Sequence, residues 1–296
     1  MQYERVRRLL ALLLVAGLLS LALAACSSDD EDEAEGDGED GAPAAVKYTP
    51  SGNEGQIIGT IAFNGNAPAP QPISMDADPA CSQNNPNPHT ETVVVKDGKL
   101  ANVFVYIKDG KTADGKTIST LTWDTPGTEA VLDQKGCHYV PHVLGLMAGQ
   151  KLKITNSDPT AHNVHPLPKT NKEFNQSQPA SAPPLEASFP RAEVVIPVKC
   201  NQHPWMKAYI GVMKSPLYAV SSEDGRFTIT GVPQGTYTVA ALHESFGEKT
   251  MSVTVGAKEI KTQDFAFDAQ KASAQPFGGS LPVGPALEVP MPMKHQ

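Results

Sequence analysis

Apolar and polar positions alternate over short runs along most of this chain, and no long stretch repeats at helical spacing. Gln56 to Phe63 spaces its apolar side chains with small or polar ones and runs into Asn64-Gly65, which predicts a strand and a turn. Residues 92–95 and 101–107 read as further strands, followed by a Gly-rich turn over 108–114. Two apolar β-rich runs, 192–199 and 209–213, flank a short loop. Beyond them, 222–239 reads as strand, tight turn at Asp224-Gly225, strand, and 250–255 and 262–267 add two more. Frequent Pro (26) and Gly (24) among 296 residues fit many strands and turns, so the expected fold class is all-β. The length suggests roughly two domains.

The ends of the chain have a different composition. Arg5, Arg7 and Arg8 precede an apolar run, Leu9 to Ala25, which predicts an export signal over residues 1–26. The run is short for a spanning helix. Leu23-Ala24-Ala25-Cys26 resembles a lipobox, the processing site of bacterial lipoproteins. That resemblance implies lipidation of Cys26 and anchoring to a membrane surface without a spanning segment. Ser27 after Cys26 would permit outer-membrane sorting, so the expected location is the cell envelope, periplasmic or on the outer-membrane or cell-surface side. A plain secretory signal is the competing reading. Residues 27–54 read as an acidic, disordered tether, with nine acids in the twelve positions 29–40. The net charge is −8, and outside that run the chain is close to neutral, which leaves no basic footprint for nucleic acid. Residues 269–296 are low-complexity and Pro-rich, a disordered tail.

The chemistry concentrates in Val198-Lys199-Cys200-Asn201-Gln202-His203-Pro204-Trp205-Met206. It offers a thiolate, an imidazole and a thioether within seven positions, on a loop that Pro204 stiffens between two strands. A one-electron copper site uses those three donors with a second imidazole completing a trigonal plane. His162, in His162-Asn163-Val164, is the candidate for that imidazole. His165 lies at an odd offset from it, and on an extended strand would face the other way. This pattern resembles the small blue copper proteins, the cupredoxins, and most of all their amicyanin and pseudoazurin types. The resemblance covers about Val131 to Met213. It implies a Greek-key sandwich and one copper ion held by His162, Cys200, His203 and an axial Met206. It also implies an electron carrier with a partner protein, and an electron exit at His203. Asn163 and Trp205 are expected beside the ligands, Trp205 as an apolar lid, a partner contact or simple packing.

Four cysteines occur, Cys26, Cys81, Cys137 and Cys200. With Cys26 assigned to lipid and Cys200 to metal, an even pair remains in an oxidising compartment, and a Cys81–Cys137 disulfide is expected. The rival is a second metal site from Cys137, His138 and His142. His89 and His243 are expected to be solvated loop residues. Gly55 to Phe63, Val103 to Ile107, and the Asp-Gly-x-Phe and Pro-x-Gly-x-Tyr segments after residue 222 resemble a carboxypeptidase regulatory-like, or transthyretin-like, β-sandwich. The copper-like segment separates its two halves. The expected organisation is therefore an outer sandwich of 55–125 plus 216–268 with a copper domain, 126–215, inserted in it. One enlarged copper domain with loose extensions is the alternative. The function expected is electron transfer. A surface copper chaperone or buffer, or a non-redox module binding carbohydrate or protein, are the other classes. No nucleophile-elbow or zincin context is present, so no enzymatic activity is expected.

Overall fold

A computed structural model describes residues 45–269. The export signal, Cys26, the acidic run and all but the first residue of the Pro-rich tail lie outside the described residues. Among the described residues the architecture is all-β: four sheets of four to six strands, a two-stranded ribbon, one 3₁₀ turn and one six-residue helix, Pro79–Asn84. Two sheets and their core make one sandwich, and the other two make a second.

The first sandwich centres on the strand Gly55–Asn64. It pairs antiparallel with Arg226–Val232 and with Lys99–Leu100, and parallel with Ile260–Thr262 and Phe265–Asp268 along one edge. Between those last two strands Gln263 kinks inward, and its carbonyl would lie 1.9 Å from a Cβ at residue 59, so only glycine fits there. The facing sheet runs Tyr218–Val220, Phe104–Thr112, Gly235–His243, Gly247–Val255. Alternate residues point between the sheets, as period-two strands require. Ile57, Ile61, Phe63, Val103, Val105, Ile107, Phe227, Ile229, Tyr237, Val239 and Phe267 form a continuous apolar core.

The second sandwich spans residues 130–213. One sheet is ordered Leu185–Ala187, Leu152–Asn156, Ala130–Lys135, His138–Val140. The other is ordered Gln176–Gln178, His162–Pro166, Glu193–Lys199, Lys207–Met213, Val143–Met147. Each contains one parallel pair made by a crossover between sheets, 130–135 with 152–156 and 143–147 with 207–213. This mixed arrangement is a two-sheet β-sandwich. Leu132, Tyr139, Leu146, Leu152, Ile154, Val164, Phe189, Ile196, Val198, Ile210 and Val212 fill its interior.

A third apolar cluster joins the two sandwiches. Gly145 and Gly211 are opposed in adjacent parallel strands and leave a flat patch without side chains. The rings of Phe104 and Tyr218, stacked with centroids 5.7 Å apart, lie on that patch. A Cβ at residue 211 would sit 2.3 Å from the Phe104 ring, and one at residue 145 would sit 2.3 Å from Tyr218. Val143, Val195, Met213, Ala240 and Leu242 surround them.

The structure departs from the sequence reading in several places. The tether does not extend to residue 54: Val46–Lys47 pairs parallel with Leu121–Thr122, and Tyr48 packs on Trp123 with ring centroids 5.5 Å apart. Two aromatic faces gain more by mutual burial than a solvated tether gains in chain entropy. The 108–114 turn is mostly strand, because Phe104–Thr112 stays paired with Gly235–His243. Asp224-Gly225 does form a tight turn, with Gly225 at φ +72°, but its flanking strands join different sheets instead of pairing as a hairpin. Residues 72–91 leave the outer sandwich, and their Met75 and Cys81 are buried in the core of the second one.

Candidate metal centre

Two loops at one end of the second sandwich build the site. His162 opens the strand His162–Pro166, and Cys200 follows the neighbouring strand Glu193–Lys199, with His165 opposite Lys199 in register. The 156–162 loop is shaped by Asn156, whose side chain donates to the carbonyls of Thr160 and Gln178 and accepts from the Asp158 N–H. The 200–206 loop is closed by two backbone hydrogen bonds, Met206 N–H to the His203 carbonyl at 2.9 Å and Cys200 N–H to the Met206 carbonyl at 3.3 Å. Asn163 ties the loops together. Its Oδ1 accepts from the Asn201 N–H at 2.6 Å and from the Cys200 thiol at 3.2 Å.

Three donors converge. His162 Nδ1 and His203 Nδ1 are 2.9 Å apart, and Cys200 Sγ is 3.7 Å from His203 Nδ1. The donor atoms of all three residues lie within 4.8 Å of one another, and all three side chains are buried. Metal bonds of about 2.0–2.3 Å to nitrogen and sulfur place trigonal donors roughly 3.5–4 Å apart. Sub-ångström shifts of the imidazoles reach that spacing, so the residues fit a metal ion. Cys200 is the only unpaired cysteine among the described residues. Met206 is fully buried in the same core as Cys200. One thiolate, two imidazoles and a neighbouring thioether are a donor set suited to copper.

The outer nitrogen of each imidazole is held by a carboxylate. His162 Nε2 meets Asp158 Oδ2 at 2.8 Å, both side chains fully buried, and His203 Nε2 meets Asp78 Oδ2 at 3.0 Å. Asp158 in turn accepts from the N–H groups of Gly136 and Cys137 and from Asn84. Asp78 caps the Pro79–Asn84 helix with its other oxygen. Cys81 and Cys137 are disulfide-bonded, and the Cys81 sulfur lies 3.9 Å from His203 Nε2. The segment that carries Asp78 and Cys81 therefore sits on the site from outside residues 126–215.

The electrostatics follow from these contacts. Burial pulls His162 down, but the Asp158 carboxylate and the Cys200 sulfur outweigh it and lift its pKa to about 9. Burial pushes the Cys200 thiol up, yet hydrogen bonds from His162 and nearby backbone bring it below its ordinary value. Burial lowers His203, the Asp78 carboxylate opposes this, and the charge on His162 keeps the balance below the usual imidazole range. Without metal, these contacts favour the protonated form of His162, the neutral form of His203 and an acidified thiol.

Comparison with solved structures gives small copper-protein likenesses. A Cu-containing nitrite reductase (NirK) from Thermus scotoductus SA-01 aligns at 17% identity over 30% of this chain and 23% of its own length, with a TM-score of 0.28. The chain thus spans about a quarter of that enzyme. A purple cupredoxin from Nitrosopumilus maritimus aligns at 22% identity over 28% of this chain and 98% of its own, with a TM-score of 0.25. Amicyanin from Paracoccus versutus aligns at 18% identity over 36% of this chain and 96% of its own, with a TM-score of 0.26. No family model matches, and no curated protein matches.

The remaining polar residues sort by contact. His165 bonds Asn201 at 3.1 Å and Glu173 at 2.6 Å and faces away from Cys200. Trp205 is half-buried: its Nε1 donates to the Cys137 carbonyl, and its ring lies 5.1 Å from that of His203. Cys137, His138 and His142 do not assemble into a second site, because Cys137 is in the disulfide and His142 Nε2 is taken by Glu244. His89 is exposed, whereas His243 is 1% exposed and not a solvated loop residue, since it packs against Phe246 and Phe267. His203 also differs from the exit expected of it: it is 5% exposed, with its outer edge against Asp78 and the disulfide. Asp78 and Asp158 are the functional residues the sequence reading missed. Asp158 stands four positions before His162 and could have been suspected as its partner. Asp78 lies 125 residues from His203, and no local spacing connects them.

Proposed function

We propose that the chain is an exported, lipid-anchored protein that holds one copper ion and carries electrons in the cell envelope. The observation that carries this reading is the convergence of the Cys200 thiol with Nδ1 of His162 and of His203 in a buried site, with Met206 buried in the same core. Copper bound there would supply a one-electron couple. Cys200, His162, His203 and Met206 would be the residues that hold it. The protein residues hold those donors in place through Asn163, Asp158 and Asp78, so little rearrangement accompanies a change of charge. Burial keeps water from the donors and strengthens each electrostatic contact. Electrons would pass to and from a partner protein, and lipid on Cys26 would keep the folded part at a membrane surface.

The pairing of Phe104–Thr112 with Gly235–His243, and of Gly55–Asn64 with Arg226–Val232, supports reading residues 126–215 as a domain inserted in the outer sandwich. The deciding experiment adds copper to the purified chain and records optical and EPR spectra. An intense sulfur-to-copper band that vanishes in Cys200→Ser supports the reading, and a colourless complex sinks it. One observation favours a second reading, a copper buffer: His203 is covered, and a closed site suits retention. Voltammetry separates the two, since a carrier cycles reversibly and a buffer does not.

A further inference from the structure

We propose that Asp78 is a positioning residue for this site: it fixes the proton of His203 on Nε2 and leaves the Nδ1 lone pair free for the metal. The proposal rests on the copper-site reading only for its consequence, because the proton arrangement exists without metal. Ionised carboxylates accept hydrogen bonds and cannot donate. With Asp78 Oδ2 at 3.0 Å, His203 Nε2 carries a proton, and in the neutral ring Nδ1 is then the acceptor that faces His162 Nδ1 at 2.9 Å. Outer carboxylates of this kind set the tautomer and ring orientation of metal-binding histidines.

The carboxylate divides its work. Oδ1 accepts from the N–H groups of Ala80 and Cys81 and starts the Pro79–Asn84 helix, and Oδ2 takes His203 and the Thr160 hydroxyl. That helix carries Cys81, whose disulfide to Cys137 ties the segment to the strand pair holding Gly136 and His138. Cys137 N–H and Gly136 N–H bind Asp158, the partner of the other imidazole. Both imidazoles are thus oriented from one covalently joined segment, and His203 is governed by a residue outside the sandwich that carries it.

Asp78→Asn separates the two roles. The amide oxygen still caps the helix, since Asn is as good an N-cap as Asp. Its NH₂ then occupies the Oδ2 position and donates, which demands an unprotonated Nε2, moves the His203 proton onto Nδ1 and makes His162 Nδ1 the acceptor, with the His162 proton released to solvent. The test is ¹⁵N NMR of the histidine rings in the full metal-free chain, followed by copper titration. The expected result is an Nε2–H tautomer of His203 in the wild type, an Nδ1–H or mixed tautomer in Asp78→Asn, and a loss of copper affinity of about 10–100-fold. Thr160→Val, which removes the other bond to the same oxygen, keeps the wild-type tautomer. An Nδ1–H tautomer in the wild-type chain overturns the proposal whether or not the variant folds. So does an unchanged tautomer in Asp78→Asn with affinity within about twofold of wild type. A wild-type chain that shows the Nε2–H tautomer but binds no copper overturns the copper reading and leaves the Asp78 assignment standing.

Discussion

The two sandwiches are built from the same kind of strand but bury opposite kinds of chemistry. The outer one encloses mainly aliphatic and aromatic residues, and its buried hydroxyls are met close by, Tyr237 Oη by the Pro233 carbonyl at 3.0 Å and Ser221 Oγ by the Leu100 carbonyl at 2.9 Å. The inner one encloses His162, Asp158, Asn163, Gln134, Gln178 and His203, each at most 5% exposed. Burying polar groups costs free energy unless every one is partnered. The inner sandwich meets most of that cost with a chain of bonds, from Gln134 to Gln178 and from Asp158 through His162 to His203 and Asp78, and leaves Gln134 Oε1 without a partner. A sandwich does not need such a chain to fold, as the outer one shows. Under the proposed copper-site reading, the inner sandwich is the working part and the outer one its support.

The largest effect expected is from Cys200→Ser, which should abolish the sulfur-to-copper absorption altogether while the metal-free fold persists. The matching change in the outer core, Ile57→Ala, should cost about 2–5 kcal/mol in stability and leave copper affinity unchanged. If the outer change weakened copper binding as much as it weakened folding, the division of labour would fail. Denaturant unfolding with parallel copper titration decides it.

Next comes the seam. Phe104→Ala removes the ring that lies on Gly211 and should cost about 3–5 kcal/mol. Gly211→Ala, which forces a methyl into that ring, should cost about 1–3 kcal/mol. Two resolved unfolding transitions in Phe104→Ala, against one in the wild type, would show that this cluster couples the sandwiches.

Two histidines beside that seam should give opposite pH dependences. Burial, aided by the charge on His142, depresses His243 to about 3. The unfolded chain then binds the extra proton, so its contribution is full above about pH 6.5 and is lost as pH falls toward 3, roughly 3 kcal/mol by pH 4. Burial opposes the His142 charge, but Glu244 and then Glu91 outweigh it and raise its pKa. Its contribution is full below about pH 6.5 and is lost as pH rises through the raised value. Thermal unfolding of His243→Gln should show a flatter acid limb, and His142→Gln a flatter alkaline limb. The smallest effect is Tyr237→Phe, which deletes one buried hydrogen bond of the outer sandwich and should cost about 1 kcal/mol without touching copper binding.

Much of this was legible along the chain. Period-two alternation marked most strands, because the pleat forces it whatever the partner strand is. Cys200, His203 and Met206 stood out because a closed loop between strands needs its donors close in sequence. His162 stood out with its neighbour Asn163. Pairing was less legible: the residues around Asp224-Gly225 have the local marks of a hairpin, yet their strands belong to different sheets. Opposed Gly145 and Gly211 look like ordinary breaks in a strand until Phe104 and Tyr218 are laid on them.

Residue order alone was thus enough for the all-β class and the three-donor loop, since backbone alternation and loop closure are short-range effects. Packing in three dimensions settled which strands became neighbours and that a helix cap at Asp78 would rest against an imidazole 125 residues away. Burial of side chains from distant segments drives those choices. That free energy depends on what meets across the core, which no single stretch of chain contains.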